Sequence, residues 1–213
     1  MKVILEPANH FGTHLQNGAK TQMTTKDIGY KEALESIEND DIYKNGVAWG
    51  FKRSGHPEGT IGLHIAELEN NLELLKTRGT ISEDEEAKIR LLIHVHDTLK
   101  YHAQPGVPIE NQYSHASLAK NFLSQFIDNE DLLNMVQYHD EGYALFRKYE
   151  KTGTMPEQRF SKLIETIQDW RVFLVFSIAD NCTSGKGREP LQWFLKNVKE
   201  KINTDIDESW ILD

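Results

Sequence analysis

A chain of 213 residues is long enough to bury a core and short enough to exclude two independent large domains. Its 24 Lys and Arg against 33 Asp and Glu leave a net charge of −9 with the basic residues scattered, which excludes a basic face for duplex nucleic acid. One cysteine, Cys182, excludes an internal disulfide, no apolar run reaches membrane-span length and MKVILEPANHFGTH is no secretion signal, so the expectation is a soluble cytoplasmic protein without a membrane partner.

Residues 1–57 are polar, with short apolar pieces such as Val3-Ile4-Leu5 and Val47-Ala48-Trp49. They are expected to form a largely irregular N-terminal extension, with room for a strand or a short helix, packed on a main body of residues 58–213. From there the pattern is helical. Ile61, Ile65, Leu68, Leu72 and Leu75 step by four and three, predicting an amphipathic helix that ends near Gly79, with His64 beside its stripe. Ser82 and Glu85 make a capping-box signature ahead of a helix whose inward face carries Ile89, Leu92, Ile93, His96 and Leu99.

Ser114 is a cap for a third helix that begins with His115, and Asp128 or Asn129 for a fourth in which Leu132, Val136 and His139 share one side. A short piece around Tyr143 to Tyr149 follows. RFSKLIETIQDWRVFLVFSIAD reads as one strong helical stretch closing on Asp180. Gly185 and Gly187 break it, and Pro190 suits the first turn of a last helix with Trp193, Phe194, Val198 and Ile202. The expected fold class is an all-α bundle with that largely irregular extension.

Each of these amphipathic helices except the last puts a His or Asp on or beside its apolar stripe. As ordinary core residues, unpaired, each would cost about 1–3 kcal/mol, so coordination of divalent metal explains His64, His96, Asp97, His115, His139 and Asp180 better than packing does. Adjacent residues on a helix point about 100° apart, so a single ion takes both His96 and Asp97 only from a cleft between helices. Asp97 has two oxygens and can bridge two ions, one completed by His64, His96 and Asp180, the other by His115 and His139. His94 and His102 flank the pair as surface or supporting residues; His10, His14 and His56 read as solvated.

The order His64 in EGTIGLHIAEL, His96-Asp97 in HVHDTLK, His115 in YSHASLAK, His139 in VQYHDEGY and Asp180 in FSIADN resembles the HD-domain superfamily of metal-dependent phosphohydrolases. The resemblance spans roughly residues 58 to 200 and implies an all-helical HD-domain bundle. It also implies one metal on the first His, the His-Asp pair and the last Asp, and a second on the two intervening histidines. HDTLK matches a pattern in which the lysine, here Lys100, touches substrate phosphate.

The implied activity is hydrolysis of a small phosphomonoester or phosphodiester, most plausibly a nucleotide, by water activated on one or two divalent ions; Asp97 and Lys100 are the catalytic candidates. Mn, Fe, Co, Ni and Zn all suit a mixed His and carboxylate set. Lys186 and Arg188, after Asp180, are further substrate-phosphate candidates, although SGKGRE lacks the glycine spacing of a P-loop. Two divalent ions outweigh two aspartates, so an acidic chain still accommodates an anionic substrate. The alternative is an HD-fold di-iron oxygenase acting on a small polyol or phosphonate, which uses the same ligand types.

Overall fold

The computed structural model describes residues 29–53 and 57–212. His10, His14 and Val3-Ile4-Leu5, in residues 1–28, and His56, in residues 54–56, lie outside the described residues, as does Asp213. Within them the fold is all-α, as the periodicities predict: ten α-helices and an isolated antiparallel bridge between Gly50 and Thr60. No helix among the described residues is long and apolar enough to cross a membrane.

Short polar side chains set most helix starts. Thr60 accepts from the Leu63 amide at the head of α3 (Ile61–Leu75), and the Ser82–Glu85 capping box opens α4 (Glu83–Val95). Ser114 caps α5 (His115–Leu123), and Asn129 caps α6 (Glu130–Tyr138), as their positions in the sequence predict. Pro190 stands in the first turn of α10 (Glu189–Lys199).

The segment expected to be largely irregular holds two helices, α1 (Tyr30–Asn39) and α2 (Asp41–Ala48). Asp40 separates them and accepts from the Ile42 amide at 2.7 Å. Each buries too few side chains, Ala33 and Ile37 on α1 and Tyr43 on α2, to write a stripe into the sequence. Short helices of this kind draw their stability from docking. α1 docks on α4 and α2 on α3.

Gly46 also brings α2 against the turn after α4: a Cβ there would clash with the Thr98 carbonyl oxygen, one residue beyond Asp97. Gly46→Ala is expected to cost about 1–3 kcal/mol, read as a lower urea midpoint at unchanged slope.

A second departure lies in RFSKLIETIQDWRVFLVFSIAD, which forms two helices, α8 (Glu157–Thr166) and α9 (Trp170–Asn181). Ile167 is extended, Asp169 caps the Val172 amide, and the Asp131 carboxylate accepts from the Gln168 and Asp169 amides at 2.8 Å each. Asp131 comes from α6, so the break is imposed by a distant residue while the apolar positions remain in the core. The short piece after His139 is a full helix, α7 (Glu141–Thr152), stopped by Gly153 at φ +70°.

α9 is buried along almost its whole length, from Trp170 to Asp180, as a helix apolar on all sides must be. α3 and α4 pack on it, α10 covers another side, and α6 joins through α4. Leu68, Leu72, Ile89, Leu92, Ile93, Phe173 and Phe176 fill the space between them.

Candidate metal centre

The six predicted ligands arrive from five helices. His64 lies within α3 and Asp180 near the end of α9, while His96 and His139 are the residues that close α4 and α6. Asp97 begins the turn after α4, and His115 is the first residue of α5. Closing positions suit a ligand, because the chain turns away and leaves the side chain reaching past the helix end. His64, His96, Asp97, His139 and Asp180 are buried and His115 is partly so.

They form two groups with metal-ligand spacing, His64, His96 and Asp180 in one and Asp97, His115 and His139 in the other, the donor atoms within each lying inside 4.8 Å of one another. In the first, His64 Nε2 is 3.0 Å from Asp180 Oδ1, which lies 3.8 Å from His96 Nε2. In the second, His115 and His139 bring their Nε2 atoms to 3.1 Å, with Asp97 Oδ1 at 3.8 and 3.5 Å from them. The other oxygen, Asp97 Oδ2, is 3.5 Å from His96 Nε2. Asp97 therefore turns one oxygen towards each group.

The donor set fits divalent metal. His96 Nδ1 donates to the Leu92 and Ile93 carbonyls at 3.1 and 3.0 Å, and His139 Nδ1 donates to the Val136 carbonyl at 2.8 Å. Carbonyls only accept, so these bonds place a proton on Nδ1 and aim Nε2 into the cluster, the arrangement a coordinating imidazole needs. His96 Nε2 and Asp97 Oδ1 are buried with no hydrogen-bond partner among the described residues. Orphaned atoms of that kind cost about 1–3 kcal/mol each, a cost that coordination removes. No family model, curated protein or solved structure matches the chain.

Electrostatics keep the carboxylates ionised. Burial would raise the Asp97 carboxyl, but the Lys100 ammonium and the His96 and His139 rings hold it well below the usual range. Against the same desolvation, Asp180 is lowered by Lys186, His64 and His96, and Asp140 by His139 and His115. Burial pushes His96 down to about 4, so its ring is neutral. His139 is desolvated as well, yet Asp140 and Asp97 raise it to about 9. Coordination through that ring would release its proton.

The cluster opens into a cavity of about 510 Å³ lined by His96, Asp97, Lys100, His139, Asp140 and Lys186, among others. Lys100, in a 3-10 turn at Lys100–His102, donates to Asp97 Oδ2, and Lys186 donates to Asp180 Oδ1 at 2.8 Å. Arg188 is not brought to the cluster. Its guanidinium donates to the carbonyls of Asn181, Cys182, Lys186 and Leu212, among others, tying the loop after α9 to the C-terminal segment. Of the three substrate-phosphate candidates, Lys100 and Lys186 line the cavity and Arg188 does not.

His94 points off the cluster, as its helix position predicts: Tyr43 Oη lies 2.7 Å from Nδ1, and Glu69 3.2 Å from Nε2. Two acidic residues outside the predicted set also reach it. Glu58 Oε1 is 3.2 Å from His64 Nδ1, and Asp140 Oδ2 is 3.2 Å from His115 Nε2 and 3.6 Å from His139 Nε2. The signal for Asp140 was visible as a second His-Asp dipeptide. Glu58 precedes the Thr60 cap in a turn and carries no periodic signal.

Proposed function

We propose that this protein is a metal-dependent phosphohydrolase of HD-domain type, cleaving a small phosphomonoester or phosphodiester such as a nucleotide on a two-metal centre. The observation that carries the reading is the division of six candidate ligands into two adjacent triads with one oxygen of Asp97 facing each, four of them (His96, Asp97, His139 and Asp180) lining a cavity that Lys100 and Lys186 also line. His64, His96 and Asp180 would hold one ion and His115 and His139 the other, with Asp97 between them. Bound divalent ions supply an activated water near neutral pH and a positive field for phosphoryl oxygens.

The chain's own side chains supply binding and orientation. Asp97 and Asp180 engage Lys100 and Lys186, so each ammonium is already directed at the cavity floor. An anionic substrate over the centre would draw these ammoniums as charge-assisted donors. Two cations beside the ligand set favour an anionic substrate over an uncharged polyol, and so weigh against an oxygenase acting on a polyol; an oxygenase acting on a phosphonate is separated by the experiment.

The deciding experiment is metal analysis of the purified protein, followed by release of phosphate or p-nitrophenol under Mn, Co, Ni and Zn and oxygen consumption after iron(II) loading. Hydrolysis that depends on divalent metal supports the proposal. Oxygen uptake coupled to a substrate, with no esterase activity under any metal, overturns it. Lys100→Ala is expected to raise KM about tenfold with metal content unchanged, the loss of a contact made equally in ground and transition states. An unchanged KM would make Lys100 a partner of Asp97 alone.

A further inference from the structure

We propose that Asp140 is a fourth protein ligand of the second ion, closing the Asp97, His115 and His139 triad into a site of four donors. The inference rests on the two-metal reading above and adds a residue to it.

Geometry carries the argument. Tetrahedral donors bonded at about 2.1 Å lie about 3.4 Å from one another. Asp140 Oδ2 is 3.2 Å from His115 Nε2 and 3.6 Å from His139 Nε2, while the histidine nitrogens are 3.1 Å apart and Asp97 Oδ1 is 3.8 and 3.5 Å from them. These five of the six separations scatter around the tetrahedral edge. Drawing the Asp140 and Asp97 carboxylates together about the two histidine nitrogens would seat one ion among all four atoms.

Local structure agrees. Asp140 lies between α6 and α7 with a helical backbone, φ −84° and ψ −2°, a conformation that does not turn its carboxylate onto the first amides of α7. The carboxylate is directed at the two histidines and the cavity.

The composition of the two sites agrees. With Asp97 shared, the first has His64, His96 and Asp180, and the second has His115, His139 and Asp140. Each is then two imidazoles and two carboxylates, and each draws an adjacent His-Asp pair from the end of one helix, α4 or α6. Without Asp140, the second ion would have only the shared carboxylate to offset its charge.

The test is titration of the metal-free full chain with cobalt(II) and, in parallel, with zinc(II) in competition with a chromophoric chelator, for wild type, Asp140→Asn and Asp140→Ala. Wild type is expected to bind two equivalents. Both variants are expected to bind the first with unchanged affinity and the second at least about 100-fold more weakly, with an altered visible cobalt spectrum for that second equivalent. The isosteric Asp140→Asn keeps the test usable should Asp140→Ala fold poorly, and circular dichroism of the metal-free forms checks both. Two equivalents at wild-type affinity in both variants overturn the assignment, and so does weaker binding with an unaltered cobalt spectrum, which would mark a field effect without ligation. Fewer than two equivalents in wild type would instead defeat the two-metal reading itself, and this assignment with it.

Discussion

Asp97→Ala is expected to weaken both proposed metal sites at once and to lower the proposed phosphoester hydrolysis by about 10³-fold or more, since the activation a bound metal would supply is worth several kcal/mol and each 1.4 kcal/mol is about tenfold. The reason is the division of its carboxylate. One oxygen faces His96 at 3.5 Å, and the other faces His139 and His115 at 3.5 and 3.8 Å. Each of the other five predicted ligands belongs to one triad. Metal content after desalting, measured with the rate of phosphate release, checks this. A variant that keeps two equivalents at wild-type affinity would show that Asp97 does not bridge.

His139→Ala is expected to divide the centre, leaving one equivalent on His64, His96 and Asp180 and a reduced, measurable activity. His139 meets only Asp97, His115 and Asp140 among the acidic and ligating groups through Nε2, and its Nδ1 is held by the Val136 carbonyl. Its ring also packs edge-on against His96, at 5.1 Å between centroids, but supplies no donor atom to the first triad. Equilibrium titration should fall from two equivalents to one, whereas His96→Ala should remove metal and activity together. An unchanged second equivalent in His139→Ala would reduce His139 to a buried helix-closing residue.

Much of this centre is legible in the chain because helices write locally. Ser82, Ser114 and Asn129 announce helix starts through bonds spanning three residues, and each forms that bond in the fold. Spacings of three and four place His64, His96, His139 and Asp180 with the apolar positions, and all four are buried. The break between α8 and α9 is not legible, because the Asp131 carboxylate that takes the Gln168 and Asp169 amides comes from more than thirty residues away. Nor are α1 and α2, whose few buried side chains become informative only against α4 and α3.

The sequence by itself therefore determined the class of fold, most helix starts of the main body and the six residues with ligand chemistry, since periodicity and capping act over one or two turns. Tertiary structure alone decided how those six divide into triads, which oxygen of Asp97 faces which, that Asp140 and Glu58 stand beside His115 and His64, and that Arg188 serves the backbone while Lys100 and Lys186 edge the cavity. The physical reason is reach. A side chain's partners across 60 or 100 residues depend on where separate helices dock, and docking is settled by the summed burial of the core.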